Sequence, residues 1–265
     1  MKKRILFIEA SGSKANVFDD YMRLPLMGTL YLGTILHNAG HEVKILNENI
    51  LGENISPFKY NVDIVCFTSL TVNVNRTKEL ALEFRQTNPN VKIIIGGIHA
   101  TVVPSEFENI ADHVVLGEAE EIILDIIDGK YSDKIIQGRK VHNLDALPLV
   151  NYSLLENYKS LDIAPIMTSR GCPFDCNFCL VTAVFGKLFR EQSVDRIIAE
   201  IKNMQSYLNT PHIFFYDDNF TSNKKRINEL VDRIISEKIN ITWTAQVRAD
   251  IAKDQNLLSK MYKAG

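Results

Sequence analysis

The sequence has few cysteines, no excess of charge of either sign and no long apolar run. Four of its 265 residues are cysteine, and the formal net charge is −2. That balance gives no electrostatic reason to expect nucleic acid or a membrane surface as a partner. No apolar run approaches the roughly 18 residues of a membrane-spanning helix.

The N-terminus is basic and then apolar, as in a signal peptide. The apolar run after Met1-Lys2-Lys3-Arg4 is too short, however, and Glu9 ends it without a cleavage-site pattern. We therefore expect a cytoplasmic protein that has neither a nucleic-acid partner nor a membrane partner.

Residues 1–128 alternate strand-like and helix-like segments, which predicts an α/β domain with a parallel sheet. The expected strands are 3–9, 42–47, 63–69, 91–95 and 113–116. The expected helices are 27–38, 75–87 and 118–127. This pattern predicts a flavodoxin-like or Rossmann-like domain, whose ligands bind outside the carboxyl ends of the strands. No GxGxxG follows the first strand, which counts against a dinucleotide ligand.

Residues 129–161 lose this periodicity and are predicted to form a linker. From 162 to 265 the alternation restarts, with expected strands at 163–169, 212–216 and 241–245. The expected helices are 194–208, 224–237 and 255–264, the first of them capped by Ser193. Polar residues follow each strand, which is where a βα barrel places its chemistry.

Three of the four cysteines, Cys172, Cys176 and Cys179, lie within eight residues with the spacing CxxxCxxC. Thiolates ligate soft metals and iron–sulfur clusters, and three of them leave one iron of a four-iron cluster open. Structural zinc is the rival, but zinc prefers four ligands from paired units, and no second pair is present. A reducing compartment suits such thiols. The fourth cysteine, Cys66, has apolar neighbours in a predicted strand and is interpreted as a core residue.

The cysteine loop resembles the radical S-adenosylmethionine enzymes, whose signature is CxxxCx(aromatic)C, with Phe178 in the aromatic position. The resemblance implies a [4Fe–4S] cluster on the three cysteines and S-adenosylmethionine on the open iron. One electron then yields methionine and a 5′-deoxyadenosyl radical. The resemblance also implies a small-molecule substrate and an electron donor such as flavodoxin or ferredoxin.

The same resemblance implies where S-adenosylmethionine is held. Phe178 belongs to this site. Asp218 and Asn219 follow the second barrel strand and would contact the amino group, whereas Gln246 and Arg248 follow the third strand and would contact the ribose and carboxylate. Two further arginines, at 170 and 190, are expected to brace the cluster loop.

The first domain resembles the cobalamin-binding domain that precedes the radical core in one branch of this superfamily. The resemblance rests on five segments, namely 25–28, 39–43, Ser69-x-Thr71, 96–101 and 117–121. It implies that cobalamin is bound by residues at the strand ends, namely Asn49, Ser69, Thr71, Gly96, Gly97, His99, Gly117 and Glu118.

One departure from the cobalamin-domain pattern concerns the cobalt ligand. Those domains commonly carry DxHxxG after the second strand, and that histidine ligates cobalt from below. The stretch here is Asn47-Glu48-Asn49-Ile50-Leu51-Gly52. Asparagine is a poor cobalt ligand, so we expect cobalamin without a histidine lower ligand.

A full radical core has six βα units, whereas three are expected here, so the second domain is predicted to be a partial (β/α)6 barrel. The favoured interpretation is a cobalamin-dependent radical S-adenosylmethionine enzyme for methyl transfer or another radical modification of a small molecule. A second is such an enzyme whose first domain no longer binds cobalamin. A third is a non-catalytic cobalamin- or metal-binding fragment.

Overall fold

The computed structural model describes residues 1–12, 23–210 and 212–265, and these form two units. The N-terminal unit comprises Met1–Val141 and Asn151–Ser160. The C-terminal unit comprises His142–Val150 and Leu161–Gly265. Residues of the predicted linker, 129–161, are therefore divided between the two units.

The N-terminal unit is built on a sheet of six parallel strands in the order β2-β1-β3-β4-β5-β6. The strands are β1 (Arg4–Glu9), β2 (Glu42–Asn47), β3 (Ile64–Thr68), β4 (Lys92–Gly96), β5 (His113–Leu116) and β6 (Ile135–Gln137). The order 2-1-3-4-5 is that of flavodoxin-like folds, whose ligands bind where the strand order reverses, between β1 and β3.

Five of these strands are close to their predicted positions, whereas β6 falls in the range expected to be a linker. Only the central residue of β6, Ile136, is buried. A strand of three residues at a sheet edge carries too little apolar pattern to be recognised in a sequence.

The helices of the N-terminal unit follow the strands. They are α1 (Met27–Asn38), α2 (Glu48–Leu51), α3 (Val74–Thr87), α4 (Ile98–Val102) and α5 (Ile123–Ile127). The predicted helix 118–127 is thus wrong in its first turn. The backbone carbonyl of Glu118 accepts the N–H of Arg139 at 2.9 Å, and Gly138 N–H bonds to Leu116 O at 2.7 Å. These bonds to the chain beyond β6 hold residue 118 outside the helix.

The C-terminal unit contains a parallel sheet of three strands in the order β11-β10-β7 and a separate antiparallel pair, β8 and β9. The strands are β7 (Ala164–Ile166), β8 (Ser169–Arg170), β9 (Arg190–Glu191), β10 (His212–Phe215) and β11 (Thr242–Ala245). The helices are α6 (Val181–Val184), α7 (Val194–Tyr207), α8 (Lys224–Ser236) and α9 (Gln255–Lys263).

The predicted strand 163–169 is correct through Ile166 but does not continue as one strand. Ser169 and Arg170 leave the sheet and pair with Glu191 and Arg190 instead. The predicted cap of α7 is confirmed, because Ser193 Oγ accepts the N–H of Arg196 at 3.2 Å.

No helix in the part of the chain that the structure describes combines the length and apolarity needed to cross a bilayer.

Candidate functional site

The carboxyl end of β3 carries a buried serine whose hydroxyl has no hydrogen-bond partner among the described residues. Ser69 is fully buried. Its backbone is fixed by N–H donation to Gly96 O at 2.8 Å and by the N–H of His99, which donates to Ser69 O at 3.0 Å. Because buried hydroxyls are normally paired, the unpartnered Oγ indicates a place where a ligand's polar group fits.

Gly97 packs directly against the backbone of Ser69 at this end of the sheet. Its φ is +99°, and a Cβ atom would lie 2.6 Å from Ser69 O. Gly96 is less demanding, since a Cβ there would meet Val115 O at 3.5 Å, an ordinary contact. Gly97 is therefore the position of this pair that requires glycine.

Next to Ser69, a chain of polar side chains leads to the surface. Thr71 is exposed, and its Oγ1 lies 3.1 Å from Nδ1 of the buried His99. The other ring nitrogen, Nε2, lies 3.4 Å from Glu106 Oε1, and Lys78 pairs with the same carboxylate. The hydrogen bond from Lys78 lowers the pKa of Glu106. Nε2 itself has no hydrogen-bond partner among the described residues, so the hydrogen bond between Thr71 and Nδ1 is the one that holds the ring.

Two further predicted residues lie after β5. Gly117 has a φ of +74°, and its N–H donates to Thr101 Oγ1 at 2.9 Å. The buried carboxylate of Glu118 accepts the N–H of Val141 at 3.1 Å. The structure therefore brings Ser69, Gly97 and their neighbours together at the strand ends, whereas the Glu118 carboxylate serves a contact within the unit.

The segment after β2 stands where the histidine of DxHxxG would be. Asn47 Oδ1 accepts the N–H groups of Asn49 and Ile50 and so caps α2. Its Nδ2 donates to Glu9 Oε2 at 2.6 Å. Burial raises the pKa of Glu9 to about 7, although hydrogen bonds from Asn47 and other groups oppose the shift. Asn49 is partly exposed, and its backbone oxygen accepts from Arg23 Nε at 3.1 Å.

Glu48 holds this segment in place, a role that was not predicted from the sequence. Its side chain is buried and pairs with Arg76 Nη2 at 2.9 Å. It also accepts the N–H groups of Ser11 and Ile55, each at 2.9 Å. Although burial opposes it, these hydrogen bonds hold the pKa of Glu48 below its ordinary value. The carboxylate therefore stays ionised and fixes the first turn of α2.

In the C-terminal unit, the three clustered cysteines lie in one loop that is closed at its neck. Below the β8–β9 pair, Gln192 N–H donates to Thr168 O at 2.9 Å. Gly171 has a φ of +83°, and a Cβ there would lie 2.6 Å from Leu188 O. The neck is thus too narrow for any side chain at position 171.

A buried carboxylate anchors this neck to the main sheet. Asp217, just after β10, accepts the N–H groups of Thr168 and Ser169 at 2.6 and 3.1 Å. It also accepts both hydroxyls, at 2.5 and 2.6 Å. Arg226 Nη1 donates to Thr168 O at 2.8 Å and to Gln192 O at 3.3 Å, so it joins the two sides of the neck. We call these residues the neck anchor.

Above the neck, Cys172, Cys176 and Cys179 are free thiols of intermediate exposure. A turn in which Cys179 N–H donates to Cys176 O at 2.9 Å shapes the last part of the loop. Phe178 projects outward and is 93% exposed. The arginines at 170 and 190 are buried and face each other across the β8–β9 pair.

Among the residues that the structure describes, no group of three His, Cys, Asp or Glu side chains is arranged around a single ion. A four-iron cluster places each thiolate on a different iron, so its thiolates lie farther apart than those of one ion. Three free cysteines on one irregular loop, without a fourth ligand nearby, fit such a cluster and not structural zinc.

The fourth cysteine confirms its predicted role in the core. Cys66 lies in β3 and is 4% exposed. Burial raises the pKa of its thiol to about 12, so it remains protonated and is not a ligand.

A cavity of about 400 Å³ lies beside the cysteine loop. Asn219 and Arg248, two of the residues predicted to contact S-adenosylmethionine, line it. The cavity is completed by residues of the loop and of the segments after β10 and β11, namely Pro173, Phe174, Thr221, Ser222, Asn223, Lys224, Asp250 and Ile251.

The other three predicted residues, Phe178, Asp218 and Gln246, lie outside the lining of this cavity. Asp218 is half-buried, and burial followed by the charge of Asp217 raises its pKa to about 6. Gln246 is exposed, and its backbone oxygen accepts the N–H of Phe220 at 2.9 Å. Reasoning from the sequence missed Phe174, Thr221 and Lys224, although their positions next to Cys172 and after β10 were available as a signal.

Two protein-family models match the chain, one in each of its two units. Residues 14–127 match the B12 binding domain family, and residues 166–259 match the Radical SAM superfamily. An uncharacterized methyltransferase of Pyrococcus horikoshii is 30% identical over 271 residues, which cover 91% of the chain and 58% of that protein. Bacteriochlorophyllide d C-8(2)-methyltransferase of Chlorobaculum tepidum is 25% identical, with coverage of 93% and 57%. The chain thus spans less than two thirds of the length of these relatives.

Solved structures show the same fold. OxsB, a cobalamin-dependent S-adenosylmethionine radical enzyme solved with aqua-cobalamin and S-adenosylmethionine, gives a TM-score of 0.76 at 17% identity, covering 100% of this chain and 43% of that one. TsrM of Kitasatospora setae, a radical S-adenosylmethionine methyltransferase solved with cobalamin and a [4Fe–4S] cluster, gives 0.65 at 13% identity, with coverage of 98% and 55%. The predicted fold class is confirmed.

Proposed function

Because the chain belongs to the cobalamin-binding branch of the radical S-adenosylmethionine superfamily, we propose that it is part of a methyltransferase that uses both cofactors. The observation that carries the proposal is the anchored loop, which presents three free cysteines at the end of a parallel sheet. The relatives named as methyltransferases support methyl transfer to a small-molecule substrate.

In this proposal, Cys172, Cys176 and Cys179 hold a [4Fe–4S] cluster. When bound, the cluster supplies the one electron that splits S-adenosylmethionine into methionine and a 5′-deoxyadenosyl radical. The neck anchor fixes the two ends of the loop, so that the thiols keep their positions when an electron arrives. A protein donor such as flavodoxin or ferredoxin provides that electron. We place the protein in the cytoplasm, where reducing conditions keep exposed cluster thiols available.

S-adenosylmethionine would lie in the cavity beside the loop. Asn219 and Arg248 line that cavity, and a guanidinium is well suited to bind a carboxylate. Asp218, whose pKa is raised, would gain an ammonium partner from the ligand's amino group, and that partner would bring its pKa down. Gln246 would contact the ribose from the end of β11, and Phe178 would cover the open side of the loop.

The N-terminal unit would bind cobalamin at the ends of β3, β4 and β5. The unpartnered hydroxyl of Ser69 and the close approach allowed by Gly97 fit a bulky ligand with polar groups at this position. Thr71, His99 and Gly117 would complete the contacts. When bound, cobalamin carries the methyl group that is to be transferred.

The cobalt would have no histidine beneath it. In the sequence, Asn49 takes the place of that histidine, and it lies on a helix turn held by Asn47 and by the ion pair of Glu48 with Arg76. An amide side chain is a weak ligand for a transition metal compared with imidazole. The cobalamin would then be held by the strand ends alone, with its lower face free of a protein nitrogen ligand.

The test is anaerobic reconstitution of the chain with iron, sulfide and hydroxocobalamin, followed by desalting and a visible absorbance spectrum. We expect a broad iron–sulfur band together with retained corrinoid bands. The Cys176→Ala variant should lose the iron–sulfur band and keep the corrinoid. Iron–sulfur absorbance without corrinoid would show that the N-terminal unit does not bind cobalamin. Absence of both chromophores would contradict the proposal.

A further inference from the structure

Arg248 reaches from the end of β11 into the cysteine loop. Its guanidinium carbon lies 3.8 Å from the centroid of the Phe174 ring, which stands between Cys172 and Cys176 in the loop. Its Nη1 lies 3.9 Å from Cys176 Sγ, a distance within hydrogen-bond range for a sulfur acceptor. A cationic donor therefore contacts one of the three sulfurs directly.

The chain just before Arg248 is tied to the segment after β10, and the Arg248 guanidinium is stacked on Phe174. The backbone before it is fixed by the hydrogen bond from Phe220 N–H to Gln246 O. A guanidinium that stacks on an aromatic face directs its N–H groups outward in the plane of the fork. Phe174 thus acts as a platform that aims one N–H edge of Arg248 at Cys176.

We infer that Arg248 raises the reduction potential of the cluster by donating a charge-assisted hydrogen bond to Cys176 Sγ. This inference rests on the proposed function, since it requires the cluster. It assigns Arg248 a role that differs from holding S-adenosylmethionine, and it makes Phe174 the positioning residue for that role.

The sign follows from charge. Reduction adds one electron from the donor to the cluster, so the total charge of the cluster and its thiolates becomes more negative by one. Hydrogen bonds to the sulfurs and nearby positive charge favour the more negative state and therefore raise the potential.

The contact with sulfur also leaves capacity for the ligand. The guanidinium has five N–H donors, and one edge is directed at Cys176. Asp250 Oδ1 lies 3.8 Å from Nε, and Arg248 as a residue lines the cavity. The contact with Cys176 therefore uses only part of the donor capacity of Arg248.

The experiment is a potentiometric titration of the reconstituted chain with dithionite, without S-adenosylmethionine or substrate, monitored by the electron paramagnetic resonance signal of the reduced cluster. We expect Arg248→Gln to lower the ratio of reduced to oxidised cluster roughly tenfold at a fixed solution potential. For a one-electron couple, that ratio corresponds to a shift of about 59 mV to more negative potential. Arg248→Lys, which keeps the charge but not the planar fork, should fall between.

Two further variants separate the sulfur contact from other effects. Phe174→Leu removes the platform and leaves Arg248 in place, so it should lower the potential in the same direction by a smaller amount. Lys224→Gln is the matched control, because Lys224 lines the same cavity and pairs with Asp254 at 3.1 Å instead of with a sulfur. Its potential should equal that of the parent chain.

Iron content is measured for every variant, so that loss of cluster is not read as a change of potential. A loaded Arg248→Gln variant with the parental potential would overturn the inference and leave the proposed function intact. An equal shift in Lys224→Gln would also overturn it, because the effect would then come from general charge in the cavity. A parent chain that assembles no cluster would overturn both proposals.

Discussion

Two buried serines, one in each unit, stand at the ends of strands and have opposite surroundings. Ser69 follows β3, and its hydroxyl has no hydrogen-bond partner among the described residues. Ser169 begins β8, and its hydroxyl donates to Asp217 Oδ2 at 2.6 Å. Both side chains are almost fully inaccessible. The same residue type therefore has an unpartnered hydroxyl in one unit and an internal anchoring hydrogen bond in the other.

The two proposed sites are supported in different ways. In the N-terminal unit the backbone at the ends of paired parallel strands shapes the region around Ser69. In the C-terminal unit the cysteines lie on a loop outside the sheet, and side chains of the neck anchor hold that loop. Substitutions should therefore affect local stability differently in the two units.

The largest effect should come from breaking the anchor itself. Asp217→Ala removes the acceptor of four hydrogen bonds and one of the two carboxylates that neighbour the buried Arg226, the other being that of Glu191 at 3.3 Å. The upper limit of the cost is that of breaking a buried charge pair outright, about 3–5 kcal/mol. We expect amide hydrogen exchange of the full chain to accelerate in peptides covering 164–179. The fluorescence of Trp243, the only tryptophan, should report unfolding of the same unit at lower urea.

The exposed carboxylate of Asp250 gives a matched control for this variant. Asp250→Ala lies in the same unit and should leave exchange in 164–179 unchanged. Equal protection in the parent and in Asp217→Ala would show that the loop is held by something other than the anchor.

The corresponding test of the N-terminal unit is Gly97→Ala. Alanine at a φ of +99°, with its Cβ 2.6 Å from Ser69 O, should cost about 1–3 kcal/mol and displace the end of β3. The measurement is hydrogen exchange in peptides covering 64–73 together with retention of corrinoid. Gly96→Ala, one residue away, is the control and should perturb both far less. If the two variants behave alike, the close approach at Gly97 is not what shapes the site.

The pH dependence should also differ between the units. The pKa of Glu9 is about 7 in the folded unit and 4.5 without burial, so the folded state binds a proton that the unfolded state releases. Stability from this group is complete below pH 4.5 and is lost as pH rises to 7, with a slope of about 1.4 kcal/mol per pH unit between them.

Hydrogen exchange corrected for intrinsic rates measures this slope in the N-terminal unit. The measurement runs from about pH 5 to about pH 8, a range that includes the raised pKa of Glu9, about 7. The Glu9→Gln variant should flatten it. In the C-terminal unit the pKa of Asp218 is raised from 3.8 to about 6. The stability that this carboxyl group contributes is therefore lost over a lower range of pH than for Glu9. A pH slope in Glu9→Gln equal to that of the parent would assign the effect to another group.

The smallest effect on stability should be that of Ser69→Ala. Because its hydroxyl has no partner, removal should change the free energy of unfolding by no more than about 0.5 kcal/mol. Corrinoid retention should nevertheless fall. Ser169→Ala loses a hydrogen bond to a charged group and should cost about 1.5–3 kcal/mol without affecting corrinoid. Thermal unfolding and corrinoid absorbance, measured for both variants, test whether Ser69 and Ser169 differ in this way.

Much of this fold was predictable, because apolar runs and helix periodicity act within a few residues. β2, β5 and α1 have the predicted bounds, and the cysteine loop is recognisable from spacing alone. The neck anchor was not predictable. Asp217 and Thr168 are 49 residues apart, and only the fold brings them together.

The site residues show the same limit. Asn219 and Arg248 line the cavity because the carboxyl ends of parallel strands meet at one edge of the sheet. That convergence can be predicted once the strands have been located in the sequence. The roles of Glu48 and Phe174 depend on side-chain contacts with distant partners, Arg76 and Arg248. Nothing in the local pattern distinguishes those residues from a solvated acid or a surface aromatic.

The closed neck of the cysteine loop affects how much the length of the loop can change. Thr168 and Gln192 are joined directly and through Arg226, so the ends of the loop keep their separation whatever lies between them. When both ends are fixed, doubling the length of a flexible loop costs only about 0.6 kcal/mol. Insertions between Cys179 and Leu188 should therefore cost little while the sheet and helices beneath keep their packing, whereas Gly171 is held to glycine by its contact with Leu188 O.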